Sequence, residues 1–121
     1  ESNVAAMGDT LRAHVRAQVA EILKYSGQGE DVLFAEAKTL GDAALSVAEV
    51  AGAADMVAIG EVARGLSAMV AGLSTGVWHS DALLVHVRSL ALVSAQGAPT
   101  AQDAVVLERL AAMRKTIGVV E

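Results

Sequence analysis

The sequence has no cysteine, a single proline and only one each of phenylalanine, tyrosine and tryptophan. Without cysteine the chain has no disulfide, no thiol nucleophile and no thiolate ligand for zinc. The longest uncharged stretches, near residues 65–78 and 89–102, are shorter than a membrane span and contain turn residues. We therefore expect no membrane-spanning segment.

Basic residues are also few and are scattered along the sequence, and the net charge is −5. This distribution lacks the basic patch of a nucleic-acid-binding surface. The N-terminus lacks the charged-then-apolar layout of a signal peptide, and the absence of cysteine is compatible with a reducing compartment. We expect a cytoplasmic protein. The first residue, Glu1, is not methionine, which indicates a trimmed or partial chain.

The sequence is rich in small apolar side chains instead. Apolar residues make up 54% of the chain and aromatic residues only 2%, so most of the apolar count is alanine and valine. Alanine favours helix, and small side chains let helices approach closely. The length suggests one domain, residues 1–121, which is large enough to bury a core.

Residues 33–73 carry the clearest structural pattern. Two apolar stripes repeat at intervals of three and four, which keeps their side chains on one face of a helix. A Gly/Ala elbow at residues 51–55 separates them, so we predict an antiparallel helix pair. The stripes are Leu33, Ala37, Leu40, Ala44, Val47 and Ala51, then Met56, Ile59, Val62, Leu66, Met69 and Leu73.

The whole chain reads as an all-α, up-down four-helix bundle with one additional helix, five helices in total. They are predicted near residues 3–25, 30–51 and 55–73, then from 80 and from 100. The second helix has a narrow polar strip and is predicted to be the central one. Its Gly41 suggests a close helix crossing.

Helix ends are predicted from their residue types. Gly27 and Gly29 favour a left-handed cap after the first helix, and Gly72 or Gly76 would cap the third. Ser80 is a good N-cap, and Thr100 with Asp103 resembles a capping box.

Few residues suggest chemistry. His79 and His86 are seven apart and, with a carboxylate, could bind a metal if their helix began a turn early. The alternative, which we favour, places His79 in a loop and His86 half-buried beside the core. Trp78 is expected to plug one end of the core rather than to stack on a ligand. No nucleophile motif or phosphate loop is present, so we expect no catalytic residue, no metal and no cofactor.

The stretch Ala35-Glu36-Ala37-Lys38-Thr39-Leu40-Gly41-Asp42-Ala43-Ala44 resembles the active helix of histidine phosphotransfer (HPt) domains. That helix reads approximately A-H-x-L-K-G-S/A-A, and an apolar turn and a second amphipathic helix follow it. Thr39 and Leu40 match, as do the small residues Ala43 and Ala44. The similarity covers roughly residues 31–73, and it implies a four-helix bundle with an extra helix.

The departures from that family concern its chemistry. Lys38 holds the place of the phosphoaccepting histidine, while the family's lysine falls on Gly41 and its glycine on Asp42. A lysine cannot serve as the labile relay, and Asp42 would repel a phosphoryl group. We therefore expect a non-catalytic interaction module in bacterial two-component signalling. It would dock a receiver domain on the polar strip Lys38, Asp42, Ser46 and Glu49.

Two alternatives stay open. His86 with Arg88 nearby could accept a phosphoryl group, provided that its imidazole is exposed on a helix face. The mean hydropathy of +0.47 instead favours a structural bundle that buries its apolar excess in a homodimer.

Overall fold

The computed structural model describes residues 2–54, 56–76, 78–95 and 101–119, with side chains described from residue 8 onward except at 74 and 75. Within these residues the chain is all-α and contains no strand, which confirms the predicted fold class. It forms six helices rather than five: α1 (Ser2–Leu23), α2 (Glu30–Ala35), α3 (Ala37–Ala53), α4 (Val57–Ala71), α5 (Ser80–Ala95) and α6 (Ala101–Ile117).

The additional helix arises because the predicted second helix is interrupted at Glu36. Its backbone leaves helical geometry there, at φ −107° and ψ 17°. The hydrogen bonds nevertheless continue across the break: Glu36 N donates to Val32 O at 2.9 Å, and Leu40 N donates to Glu36 O at 3.0 Å. Neither proline nor glycine stands at this position. The bend therefore has no local sequence signal of the kind that usually marks a kink.

The elbow between α3 and α4 is shorter than predicted. Gly52 belongs to α3, which continues to Ala53. Ala54 N donates to Val50 O at 3.0 Å, and Met56 N returns to Ala51 O at 2.9 Å. Asp55 lies outside the described residues, as does the predicted capping residue Thr100.

Two of the glycine predictions have opposite outcomes. The left-handed cap expected after α1 is wrong, because a 3₁₀ turn at Lys24–Gly27 leads directly into extended backbone at Gln28 and Gly29. Gly76 follows a second 3₁₀ turn at Gly72–Thr75 and has φ +83°. This confirms the prediction that one of the two glycines, Gly72 or Gly76, caps the helix that is now α4.

The apolar stripes form a common core, as predicted. Every member of the first stripe is buried, and the second is buried from Ile59 to Met69, with its two ends half-buried. The other helices add buried aliphatic side chains to the same cluster: Val15, Val19 and Ile22 from α1, Leu83, Val87 and Leu90 from α5, and Leu110 from α6. One continuous core therefore joins the helices.

Helix packing corrects which helix is central. In the described part of the chain, α4 packs closely on α3, α5 and α6, whereas α3 packs on α1, α4 and the short α2. Helix α1 also contacts α5, and α5 contacts α6. Helices α4 and α5 thus each have three long neighbours, whereas α3 has two and keeps one face open. None of the helices in these residues has both the length and the apolar character of a membrane span.

Gly41 lies where α3 and α4 cross, as its position in the sequence suggested. A Cβ atom added there would lie 2.8 Å from Val70 Cγ1 and 3.1 Å from Val70 Cβ. Both distances are shorter than ordinary carbon contacts. The absence of a side chain therefore sets how closely the two helices approach.

Alanine substitutions at two glycines of α3 should change stability in opposite directions. Gly41→Ala should lower the free energy of unfolding by about 1–2 kcal/mol, because overpacking exceeds the gain in helix propensity. Gly52→Ala, which has nothing within 4 Å of its new Cβ, should raise it by up to about 1 kcal/mol. Urea unfolding followed by circular dichroism measures both. A stabilised Gly41→Ala variant would contradict the close crossing.

Candidate functional site

His86 lies inside the molecule, with 0% of its surface exposed. Its Nδ1 is 2.8 Å from the carbonyl oxygen of Ala82, one turn earlier on α5. Because a carbonyl can only accept, Nδ1 carries a proton and donates. Arg114 Nη1 of α6 lies 3.0 Å from Nε2 and donates to it. A neutral imidazole with its proton on Nδ1 satisfies both contacts.

Gly65 of α4 makes room for this arrangement. A Cβ atom added at Gly65 would overlap Arg114 Nη1, and it would lie 2.8 Å from Arg114 Cζ and 3.4 Å from His86 Cδ2. Helices α4, α5 and α6 therefore meet around one buried guanidinium–imidazole contact. The geometry suits a structural role for His86, because a phosphoryl donor cannot reach a ring without exposed surface.

The cation beside His86 is Arg114, not Arg88 as the sequence suggested. Arg88 is exposed on α5, whereas Arg114 is buried. A sequence signal for Arg114 did exist, because it is four residues after Leu110 and three before Ile117, on the inner stripe of α6. Arg114 also lies near the C-terminus of a helix, where a cation is favourable without any buried partner. This simpler explanation hid its contact with His86.

His79 caps α5 and does not approach a shared metal site with His86. Its Nδ1 accepts a hydrogen bond from Ala82 N at 3.2 Å, and its carbonyl accepts one from Leu83 N at 3.0 Å. The residue that caps this end is therefore His79, one position before the predicted Ser80. Among the described residues, no three His, Asp or Glu side chains converge in a way that could hold a metal ion.

Trp78 packs against the core from the loop before α5, as predicted. Its ring also meets Phe34 of α2 edge to face, with centroids 5.6 Å apart and planes at 87°. The contact links α2 to the loop before α5.

The predicted docking strip lies on α3 and is open to solvent at three of its four positions. The side chains of Lys38 and Asp42 are 88% and 68% exposed, and Lys38 Nζ donates to Asp42 Oδ2 at 2.8 Å. This hydrogen bond, with the carboxylate charge, raises the pKa of Lys38. Glu49 is exposed as well. Ser46 is half-buried, because its hydroxyl accepts a hydrogen bond from Gln18 Nε2 of α1 at 2.7 Å.

Sequence reasoning missed one member of this surface. Leu45 is 48% exposed although it is a leucine in an apolar helix. Counted from Lys38, the positions of Asp42, Leu45 and Glu49 are four, seven and eleven residues along, which is one helical face. We call Lys38, Asp42, Leu45 and Glu49 the α3 surface. The sequence did contain a signal for its exposure, because the spacing of Leu45 relative to the buried stripe places it on another face of α3.

A cleft adjoins this surface. It lies between the end of α1, the turn that follows it and the beginning of α3, with a volume of about 290 Å³. Its lining includes Glu21, Tyr25, Glu36 and Thr39. Tyr25 Oη donates to Glu36 Oε1 at 3.2 Å, and this contact joins the turn to the bend between α2 and α3.

The pKa of Tyr25 is raised, first by partial burial, then by its hydrogen bond to Glu36 and by the negative charges of Glu36 and Glu21. All of these favour the neutral phenol. Tyr25 is the sole tyrosine, so phenolate absorbance should titrate at a midpoint above the ordinary value of about 10. Glu36→Gln should lower that midpoint, and an unchanged midpoint would contradict the contact.

The raised pKa of Tyr25 also makes the stability of the folded chain depend on pH. Because the phenol has a higher pKa in the folded chain than in the unfolded one, its contribution to stability is complete below the unfolded pKa. That contribution is lost as the pH rises through the folded pKa.

The chain matches no known protein-family model, no curated protein and no solved structure. The α3 surface and the adjoining cleft are the exposed features of the chain that bear on its function.

Proposed function

We propose that the chain is a non-catalytic, HPt-like interaction module that binds a protein partner through the α3 surface. The observation that carries this proposal is Leu45, an exposed leucine between charged side chains on a helix whose opposite face is buried. Protein interfaces commonly have an apolar centre and a polar rim. Lys38, Asp42 and Glu49 would form that rim.

A receiver domain is the partner that the HPt resemblance favours. Lys38 stands at the family's phosphohistidine position, and its side chain is more exposed than that of Asp42. The position that would face a receiver domain is thus accessible to solvent, but the lysine there cannot carry out phosphotransfer. His86 does not replace it, since its ring is buried against Arg114. Docking without phosphotransfer is consistent with both facts.

The proposal extends to the arrangement of the helices and to the cellular setting. Helices α1, α3, α4 and α5 would be the four core helices, with α6 as the additional one. Contacts of α1 with α3 and α5, and of α4 with α3 and α5, support a closed group of four. A role in bacterial two-component signalling would place the protein in the cytoplasm, where receiver domains act.

Titration with candidate receiver domains, followed by amide NMR, tests the docking proposal. Chemical-shift changes should centre on residues 38–49. Leu45→Arg should weaken binding at least tenfold, because it places a charge at the apolar centre of the interface. Leu92→Arg is the matched control, since Leu92 is similarly exposed but lies on α5. No shift along residues 38–49 with any receiver, or equal effects of the two variants, would refute this mode of docking.

A homodimer is the second candidate. The observation that favours it is a set of exposed large apolar side chains on five different helices: Phe34, Leu45, Val57, Leu92 and Val105. An interface between two copies that covered even some of these side chains would remove apolar surface from water, which is favourable. Light scattering at micromolar concentration should then give twice the 12.3 kDa chain mass. A monomeric mass would remove this alternative.

A further inference from the structure

The cleft beside the α3 surface combines charge, an aromatic ring and an apolar wall. Glu21 and Glu36 contribute carboxylates, and Lys24 is the one ammonium among its lining residues. Lys24 Nζ is 2.9 Å from Glu21 Oε2, but both side chains are about 70% exposed, so this ion pair is weak and exchangeable. Ala43, which is half-buried, contributes an apolar side chain to the lining.

The two carboxylates act on the same place. Both Glu36 and Glu21 disfavour ionisation of the Tyr25 phenol through their charges. Their negative potential is therefore felt around the ring of Tyr25 rather than being spread over separate surfaces. Such a site attracts a cation and repels phosphate or carboxylate groups.

We propose that this cleft binds the guanidinium group of an arginine side chain presented by a protein partner. A planar guanidinium can donate two parallel hydrogen bonds to one carboxylate and can stack on a phenol ring. Its aliphatic stem can lie along Ala43, the partly exposed apolar residue of the lining. A lysine ammonium would satisfy the charge but could make neither the forked hydrogen bonds nor the stacking contact.

The cleft and the α3 surface share one helix but not their key residues. Glu36 precedes α3 directly and Thr39 belongs to its first turn, next to Lys38. A partner on the α3 surface could thus extend an arginine into the cleft. The inference does not require that partner to be a receiver domain.

Amide NMR with N-acetylarginine amide as the probe tests the cleft directly, with N-acetylcitrulline amide as its uncharged control. Shifts should concentrate at Tyr25, Glu36 and Thr39 with the arginine probe and be absent with citrulline. Glu36→Gln keeps the size of an exposed side chain and should weaken binding about fivefold. Glu108→Gln removes an exposed charge from α6, outside both the cleft lining and the α3 surface, and should leave probe binding unchanged.

Several results would overturn the inference. These are no shifts at the cleft, equal shifts with citrulline, equal shifts at the exposed acids Glu49 and Glu61, or unchanged affinity in Glu36→Gln. The receiver titration is a separate measurement. If receiver domains bind residues 38–49 while the arginine probe does not bind the cleft, only the arginine site is lost.

Discussion

Leu40→Ala should lower the free energy of unfolding by about 2–5 kcal/mol, because the substitution leaves a cavity that close-packed neighbours fill only in part. Leu40 has 0% of its surface exposed and belongs to the common core. For a domain of this size, such a loss is a large fraction of the total stability. Urea unfolding measures it.

Leu45→Ala is the matched control for that substitution, since both leucines belong to α3 and lose the same atoms. Leu45 is 48% exposed, so its replacement should cost less than about 1 kcal/mol. Equal losses at the two positions would mean that Leu45 is buried in solution, for example in a homodimer. Repeating the measurement over a range of protein concentrations separates that case, because dimer stability depends on concentration.

His86→Leu should destabilise the protein by about 2–4 kcal/mol, because Arg114 Nη1 would lose its imidazole acceptor in a buried place. His86→Gln should cost clearly less, since a side-chain carbonyl oxygen can accept from Arg114. Urea unfolding of both variants measures the difference.

The double variant His86→Leu/Arg114→Met shows whether the two residues act together. When both polar partners become apolar, neither is left facing the other without its hydrogen bond, so the double variant should lose less than the two single losses combined. Strict additivity would show that the contact between His86 and Arg114 contributes nothing to stability. A fully stable His86→Leu variant would have the same meaning.

The buried residues of the helices could be predicted from the sequence, because the spacing of the aliphatic residues shows which face of a helix packs against the core. Leu33 of α2 and Leu40 and Val47 of α3 are buried, and Leu66 of α4 is buried in the same core. The bend at Glu36 could not be predicted in this way. It has no proline or glycine, and the contact of Glu36 with Tyr25 depends on how α1 and α3 are placed relative to each other.

The candidate site was predicted only in part, for a related reason. Lys38, Asp42 and Glu49 are polar residues of an apolar helix, so their exposure follows from composition. Leu45 and Arg114 reverse the usual association of residue type with burial. Such reversals depend on three-dimensional neighbours: Arg114 can be buried because Gly65 leaves space for it and His86 accepts its hydrogen bond. Spacing alone does not contain that information.

The edge-to-face contact of Phe34 and Trp78 has a practical consequence for folding studies. Trp78 is the sole indole of the chain, so its fluorescence reports on one location, the junction of α2 with the loop before α5. Circular dichroism reports on the helices throughout the molecule. Comparison of the two signals during denaturation would therefore reveal whether the α2 end separates first or whether the whole chain unfolds in one cooperative transition.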